Sequence, residues 1–222
     1  MARPLVNLWG FVMGGLVIVD SGSANLRSIS KAAEMVSLEP VISNDPKVIE
    51  RAEAIIFPGV GYFDHAVEAI NRDNLADSLR AAIAKNIPFL GICLGMQLLL
   101  TESEESKDET ATAKGLDAIS GRVKLFPDTL HVPHVGWNQV RPLLNHPLFN
   151  ALDDGTYFYF THSYYAQPDR KDNTLALTDY GFSFTSAVIS GNIMGVQFHP
   201  EKSGPAGLRL LSNFGKIIAD QS

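Results

Sequence analysis

Hydrophobic positions along this chain follow two regimes. In the first, continuous apolar blocks at Leu16 to Val19 (within a strand expected over Leu16 to Asp20), Ala54 to Phe57 and Ile87 to Ile92 alternate with segments whose apolar residues recur at helical spacing, as over Phe63 to Ile70 and Leu75 to Lys85. Blocks without polar alternation suit strands buried on both faces, so this half predicts β-α-β-α order around a parallel sheet. Ser21 to Asn25 reads as a turn into a helix through Met35, with Ser23 or Asn25 as its cap; Val41 and Ile42 start a second strand, and Lys47 to Ala52 reads as a short helix. In the second regime the runs are short strands and turns: Gly121 to Phe126, Val132 to Val140, Thr156 to Tyr165, Thr174 to Tyr180, Thr185 to Ser190 and Ile193 to Phe198. These predict a mixed or antiparallel extension of the same sheet. Pro205 to Ala219 predicts a closing helix with Leu208, Leu211, Phe214 and Ile218 toward the core, whereas Glu102 to Thr112 is acidic, aperiodic and expected to be a solvated loop. The expected fold is α/β, a doubly wound and mostly parallel sheet with its site at the strand C-terminal ends.

A chain of 222 residues suffices for one such domain, expected over 13–222. Residues 1–12 form an apolar leader without a convincing cleavage site, and Met13 is a plausible start. No uninterrupted apolar stretch is long enough to span a bilayer. The net charge of -6 argues against a nucleic-acid or anionic-membrane surface. One cysteine cannot form an internal disulfide, which fits a reducing, cytoplasmic setting.

That cysteine has a distinctive setting. Cys93 follows the apolar block and precedes Leu94 to Leu100, which has the apolar content of a short helix, and it is flanked as Gly91-x-Cys93-x-Gly95. This is the spacing of a nucleophile elbow, where small neighbours allow a sharp strand-to-helix turn that exposes the central side chain. A helix N-terminus would favour the thiolate, and the Leu94 N–H would be free for an oxyanion. The competing reading, a buried core cysteine, does not account for the two glycines.

A thiol nucleophile needs a base, and His199 is the best placed of six histidines. It follows the strand ending at Phe198, and Glu201 comes two residues later, where extended backbone would put imidazole and carboxylate on one side. Pro58-Gly59-Val60-Gly61 leaves another predicted strand; it is either the second half of an oxyanion hole or an ordinary turn. His162 is either a satisfied half-buried histidine or part of a polar pocket. His131 and His134 lie in a proline-interrupted stretch without a metal-site pattern, and neither metal nor cofactor is expected.

GICLGMQ around Cys93, together with His199-Pro-Glu201, resembles the class I, triad-type glutamine amidotransferases, and the likeness runs over nearly the whole chain from Leu16. Within that class, PGVG at 58–61, PHVGWN at 133–138, YFTHSY at 159–164 and HPEKS at 199–203 are similar to the glutaminase subunits of imidazole glycerol phosphate synthases. The resemblance implies Cys93 as nucleophile, His199 as base and then acid, and Glu201 as its orienter. It implies that Gly59, Val60, Gly61 and Leu94 form the oxyanion site. Gln97, His162, Ser163 and Tyr164 would hold the amino-acid end of glutamine, and Trp137 and Asn138 would face a partner. That partner would be a cyclase subunit with a (β/α)8 barrel, in a heterodimer, using the released ammonia to make imidazole glycerol phosphate and an aminoimidazole carboxamide ribotide. The chain departs from the pattern at Asp20 to Asn25 and at Tyr62. Alternatives are the glutaminase of another synthase, a cysteine peptidase with the same elbow, or a silent amidotransferase-like binding subunit.

Overall fold

Five strands form the parallel half of the sheet: β1 (Leu16–Val19), β2 (Val41–Ser43), β3 (Ala54–Gly59) and β4 (Phe89–Cys93), with a late strand, Ile193–Val196, added beside β4. The computed structural model describes residues 15–22, 24–72, 74–107 and 111–221. The leader, Met13 and the alternative cap Ser23 lie outside them. Between these strands come α1 (Leu26–Glu34), α2 (Pro46–Glu50), α3 (Phe63–Arg72) and α4 (Leu75–Ala84), and β4 runs directly into α5 (Leu94–Gln97). The caps follow local chemistry: the Asn25 side chain accepts from Ser28 N–H and that of Asp45 from Lys47 N–H, ahead of Pro46.

β1, β3, β4 and the Ile193–Val196 strand are buried along their whole length because both faces are covered, whereas the edge strand β2 leaves Val41 and Ile42 exposed. Ile18, Ile56 and Leu90 pack with Ile29, Leu210 and Phe214, while Val17, Ile55 and Phe57 pack with Ile49, Phe63 and Leu79 on the other side. The helix closing the first of these layers, α6 (Gly204–Ala219), buries Leu210, Leu211, Phe214 and Ile217; of the expected residues, Leu208 and Ile218 are only half-buried.

The rest of the sheet comprises β5 (Leu100–Ser103), β6 (Ala113–Lys114), β7 (Ile119–Leu125), β8 (His134–Pro142), β9 (Thr156–His162), β10 (Tyr164–Pro168), β11 (Thr174–Asp179), β12 (Ser183–Ser190) and β13, the Ile193–Val196 strand. The main path runs β2-β1-β3-β4-β13-β12-β10-β7-β5-β6, with β11, β8 and β9 branching from β12. From β13 to β7 successive pairings are antiparallel, in keeping with the mixed or antiparallel extension expected from the short strands and turns.

Three expectations need correction. The helix over Leu94 to Leu100 is a single turn, because Leu116 and Ala118 N–H groups bond to the Leu98 and Leu99 carbonyls and draw the chain into β5. Glu102 to Thr112 is not simply a solvated loop. Glu102 and Ser103 belong to β5, and carboxylates of the segment are tied to backbone elsewhere, Glu104 accepting from Leu125 N–H and Glu105 from Phe63 N–H. Backbone N–H groups donating to acidic side chains thus do the anchoring that apolar periodicity would have signalled. Finally, Thr156 to Tyr165 is two strands broken at Ser163, because the chain changes partner there: His162 pairs with His134 on β8, and Tyr164 with Leu125 on β7.

Candidate active site

Cys93 ends β4 opposite Gly59 of β3 and has φ 54°, ψ -112°, a left-handed conformation costly for a side-chain-bearing residue. The flanking glycines serve close approach rather than unusual dihedrals. A Cβ on Gly95 would fall 1.8 Å from the Phe57 carbonyl oxygen, and one on Gly91 would fall 2.7 Å from the Gly95 carbonyl oxygen. The elbow is therefore pressed directly onto β3, and the surrounding backbone holds Cys93 in its strained turn.

Beside it, His199 Nδ1 meets Glu201 Oε1 at 2.8 Å. Extended backbone does not deliver this contact. Pro200–Lys202 forms a 3-10 turn, closed by Lys202 N–H to His199 O and Ser203 N–H to Pro200 O, which swings the carboxylate back onto the ring. The proline pre-sets that turn. His199 Nε2 is buried without a partner of hydrogen-bond geometry. Burial pushes the imidazole down, but the Cys93 sulfur and the Glu201 carboxylate outweigh it and raise it to about 10. The arrangement holds a protonated imidazole between the Cys93 sulfur and the Glu201 carboxylate.

Cys93 opens onto a cavity of about 490 Å³ lined also by Val60, Gly61, Leu94, Gln97, His162, Ser163 and Tyr164. Gly59 does not line it; it pairs with Cys93 across the strands, and a Cβ there would sit a tight 3.1 Å from Leu94 Cβ and Gly95 N. Gln97 is buried, and its Nε2 donates to Tyr164 O at 2.9 Å and Gln197 Oε1 at 3.0 Å. Both amide protons are thereby used, leaving Oε1 for a ligand. The break at Ser163 brings Ser163 and Tyr164 into the wall.

The sequence and the fold have relatives among known proteins. The family model for glutamine amidotransferase class-I matches residues 17–218. The imidazole glycerol phosphate synthase subunit HisH of Symbiobacterium thermophilum is 44% identical over 94% of this chain and 96% of its own, and that of Halobacterium salinarum 46% identical over 93% and 94%. The chain belongs to the class-I glutamine amidotransferases, in the family of HisH subunits. Among solved structures, a glutamine amidotransferase superposes at TM-score 0.71 with 17% identity, covering 92% of this chain and 100% of that one. The PurLQS structure from Thermotoga maritima gives 0.70 with 18% identity over 94% and 99%. These two bear on the fold alone.

Against the family pattern, the structure resolves the ambiguity of His162. Its Nδ1 lies 2.8 Å from the Tyr164 carbonyl oxygen, which can only accept, so Nδ1 carries the proton and Nε2 accepts. The acceptor faces His134 Nδ1 at 3.1 Å, and His134 Nε2 faces the Asn138 amide nitrogen at 3.2 Å. Two neutral rings thus pass hydrogen bonds in one direction. Burial pushes both down, His134 to about 4 and His162 to about 3. His162 therefore lines the cavity as a satisfied ring with no free nitrogen. Asn138 turns its amide inward, also donating to Asp179 O, whereas Trp137 is exposed beside Tyr159.

Two residues escaped sequence reasoning. Glu105 is the one carboxylate lining the cavity among the described residues, and in the acidic segment nothing sets it apart from Glu102 or Glu104. Gln197, fully buried with Nε2 3.6 Å from Cys93 Sγ, did leave a signal: it is a polar residue inside an apolar strand run.

Proposed function

We propose that this chain is the glutaminase subunit of an imidazole glycerol phosphate synthase, hydrolysing glutamine to glutamate and ammonia and delivering the ammonia to a cyclase in histidine biosynthesis. The observation that carries the reading is Cys93 in the cavity wall, interacting with a His199 that is itself paired to Glu201. Glutamine enters with its amino-acid end toward Gln97, Ser163, Tyr164 and Glu105, whose carboxylate suits the α-ammonium. The Cys93 thiolate attacks the side-chain amide carbon. The tetrahedral oxygen faces the backbone N–H groups of Leu94 and the Val60–Gly61 segment, a contribution worth about 10²- to 10³-fold in rate per donor. His199 gives its proton to the departing ammonia, then accepts one from the water that cleaves the thioester and releases glutamate.

Ammonia is useful to a synthase only as the neutral base, and in bulk water at neutral pH it is mostly protonated, so a receiving partner is needed. Exposed Val135, Trp137 and Tyr157 on the β8–β9 ribbon support docking there, with Lys202 lying 5.7 Å over the Tyr159 ring at the same face. The partner is a cyclase with a (β/α)8 barrel, paired one to one in the cytoplasm. No helix among the described residues is long and apolar enough to cross a membrane.

The test is Cys93→Ala in the complex with its cyclase. Glutamine hydrolysis should vanish while added ammonium salts still support product formation. Glutaminase turnover above a trace in that variant overturns the assignment of Cys93, and failure of ammonium rescue in a folded complex overturns the ammonia-using partner.

A further inference from the structure

We propose that Gln197 is a catalytic residue of this glutaminase: its side-chain amide, locked in one orientation by Gln97, aims an N–H at the Cys93 sulfur and stabilises the attacking thiolate. The inference rests on the reading of Cys93 as nucleophile and adds a group that neither the elbow nor the His199–Glu201 pair includes.

The orientation follows from a chain of hydrogen bonds with one fixed end. The Tyr164 carbonyl oxygen can only accept, so the Gln97 atom 2.9 Å away must be the amide nitrogen. The same nitrogen lies 3.0 Å from the Gln197 side chain, which must therefore present its oxygen there. The remaining Gln197 atom, 3.6 Å from Cys93 Sγ, is then Nε2, a donor. Rotating the Gln197 amide by half a turn would set donor against donor at Gln97 and oxygen against sulfur at Cys93. Two buried amides thus transmit polarity from a backbone carbonyl to the sulfur, and neither can turn without leaving a buried group unpaired.

The other neighbours of the sulfur leave this task open. Thr161 O lies 4.0 Å from Sγ and, as an acceptor, stabilises only the protonated thiol. His199, supported by Glu201, supplies positive charge but must surrender its proton to the leaving ammonia. His162, which lines the same cavity, is held neutral by burial. The Gln197 N–H is a side-chain donor that stays in place through proton transfer, and hydrogen bonds to charged groups in such surroundings are typically worth about tenfold to a hundredfold in an equilibrium. The same chain joins the substrate end of the cavity, at Gln97, to the nucleophile.

The experiment is iodoacetamide alkylation of Cys93 across pH in the purified chain, wild type against Gln197→Met, which keeps length and apolar bulk but has no N–H. The expected result is alkylation slowed about tenfold to a hundredfold at pH 7, converging with wild type at a pH where every thiol is ionised, with a matching loss of kcat/KM in the complex. Coincident pH profiles in a folded Gln197→Met overturn the proposal. Because that variant also loosens Gln97 and could fold poorly, a second measurement uses unaltered Gln197: one of its side-chain amide protons should resonate downfield in the wild type and return to the ordinary amide position in Cys93→Ala. An unchanged resonance overturns the proposal as well. If wild-type Cys93 alkylates no faster at pH 7 than a free cysteine and the wild-type complex hydrolyses no glutamine, the underlying reading fails first, and this one with it.

Discussion

Glu105 Oε2 accepts the Phe63 backbone N–H at 2.9 Å, joining an acidic segment after β5 to the first turn of α3, 42 positions away. The bond pins a carboxylate at the rim of the Cys93 cavity. If Glu105 pairs with the α-ammonium of glutamine, Glu105→Gln, whose side-chain oxygen can still accept from Phe63, should raise KM for glutamine about tenfold to a hundredfold with kcat little changed. Steady-state kinetics on the complex measures this; a fall confined to kcat removes Glu105 from substrate binding. Burial raises the Glu105 carboxyl above its ordinary value, so KM should also climb as pH falls toward the carboxylate range and the group is neutralised.

His199→Ala should cost more than Glu201→Gln. Losing the imidazole removes proton transfer, worth about 10²- to 10⁴-fold, whereas losing the carboxylate leaves a base that can still act. The ratio of kcat/KM values for the two variants checks this, and equal losses would mean that Glu201 does more than orient.

The raised imidazole has a thermodynamic signature. His199 is held at about 10 in the folded chain against an ordinary value of 6.5, so the folded state binds its proton more tightly than the unfolded state. Its stabilising contribution is fully present below pH 6.5 and is lost progressively as pH rises to about 10. Urea denaturation of wild type and His199→Gln at several pH values should show a stability difference that shrinks across that window.

Glycine substitutions should separate crowding from backbone strain. Gly95→Ala would force a methyl to 1.8 Å from the Phe57 carbonyl oxygen, deep between elbow and strand, and should destabilise by more than about 4 kcal/mol or prevent folding. Gly22→Ala meets no atom within 4 Å and carries only the cost of φ +77°, about 1–2 kcal/mol. Denaturation midpoints of the two variants test the contrast.

What the sequence determined by itself was whatever neighbours in the chain or uniform burial specify. The doubly covered strands show as unbroken apolar blocks, the elbow as Gly91-x-Cys93-x-Gly95, and the imidazole–carboxylate pair as His199-Pro-Glu201, because each depends on residues a few positions apart. Even there the means differed, a 3-10 turn in place of extended backbone bringing Glu201 to His199. The tertiary structure alone decided the one-turn length of α5, the strand break at Ser163, the satisfied state of His162 and the entry of Glu105 and Gln197 into the site. Each of these depends on a bond between distant positions, 28 apart for His134 and His162 and 104 apart for Cys93 and Gln197. A hydrogen bond between remote side chains imposes no period on the sequence; it exists only once sheet register has set which residues face each other.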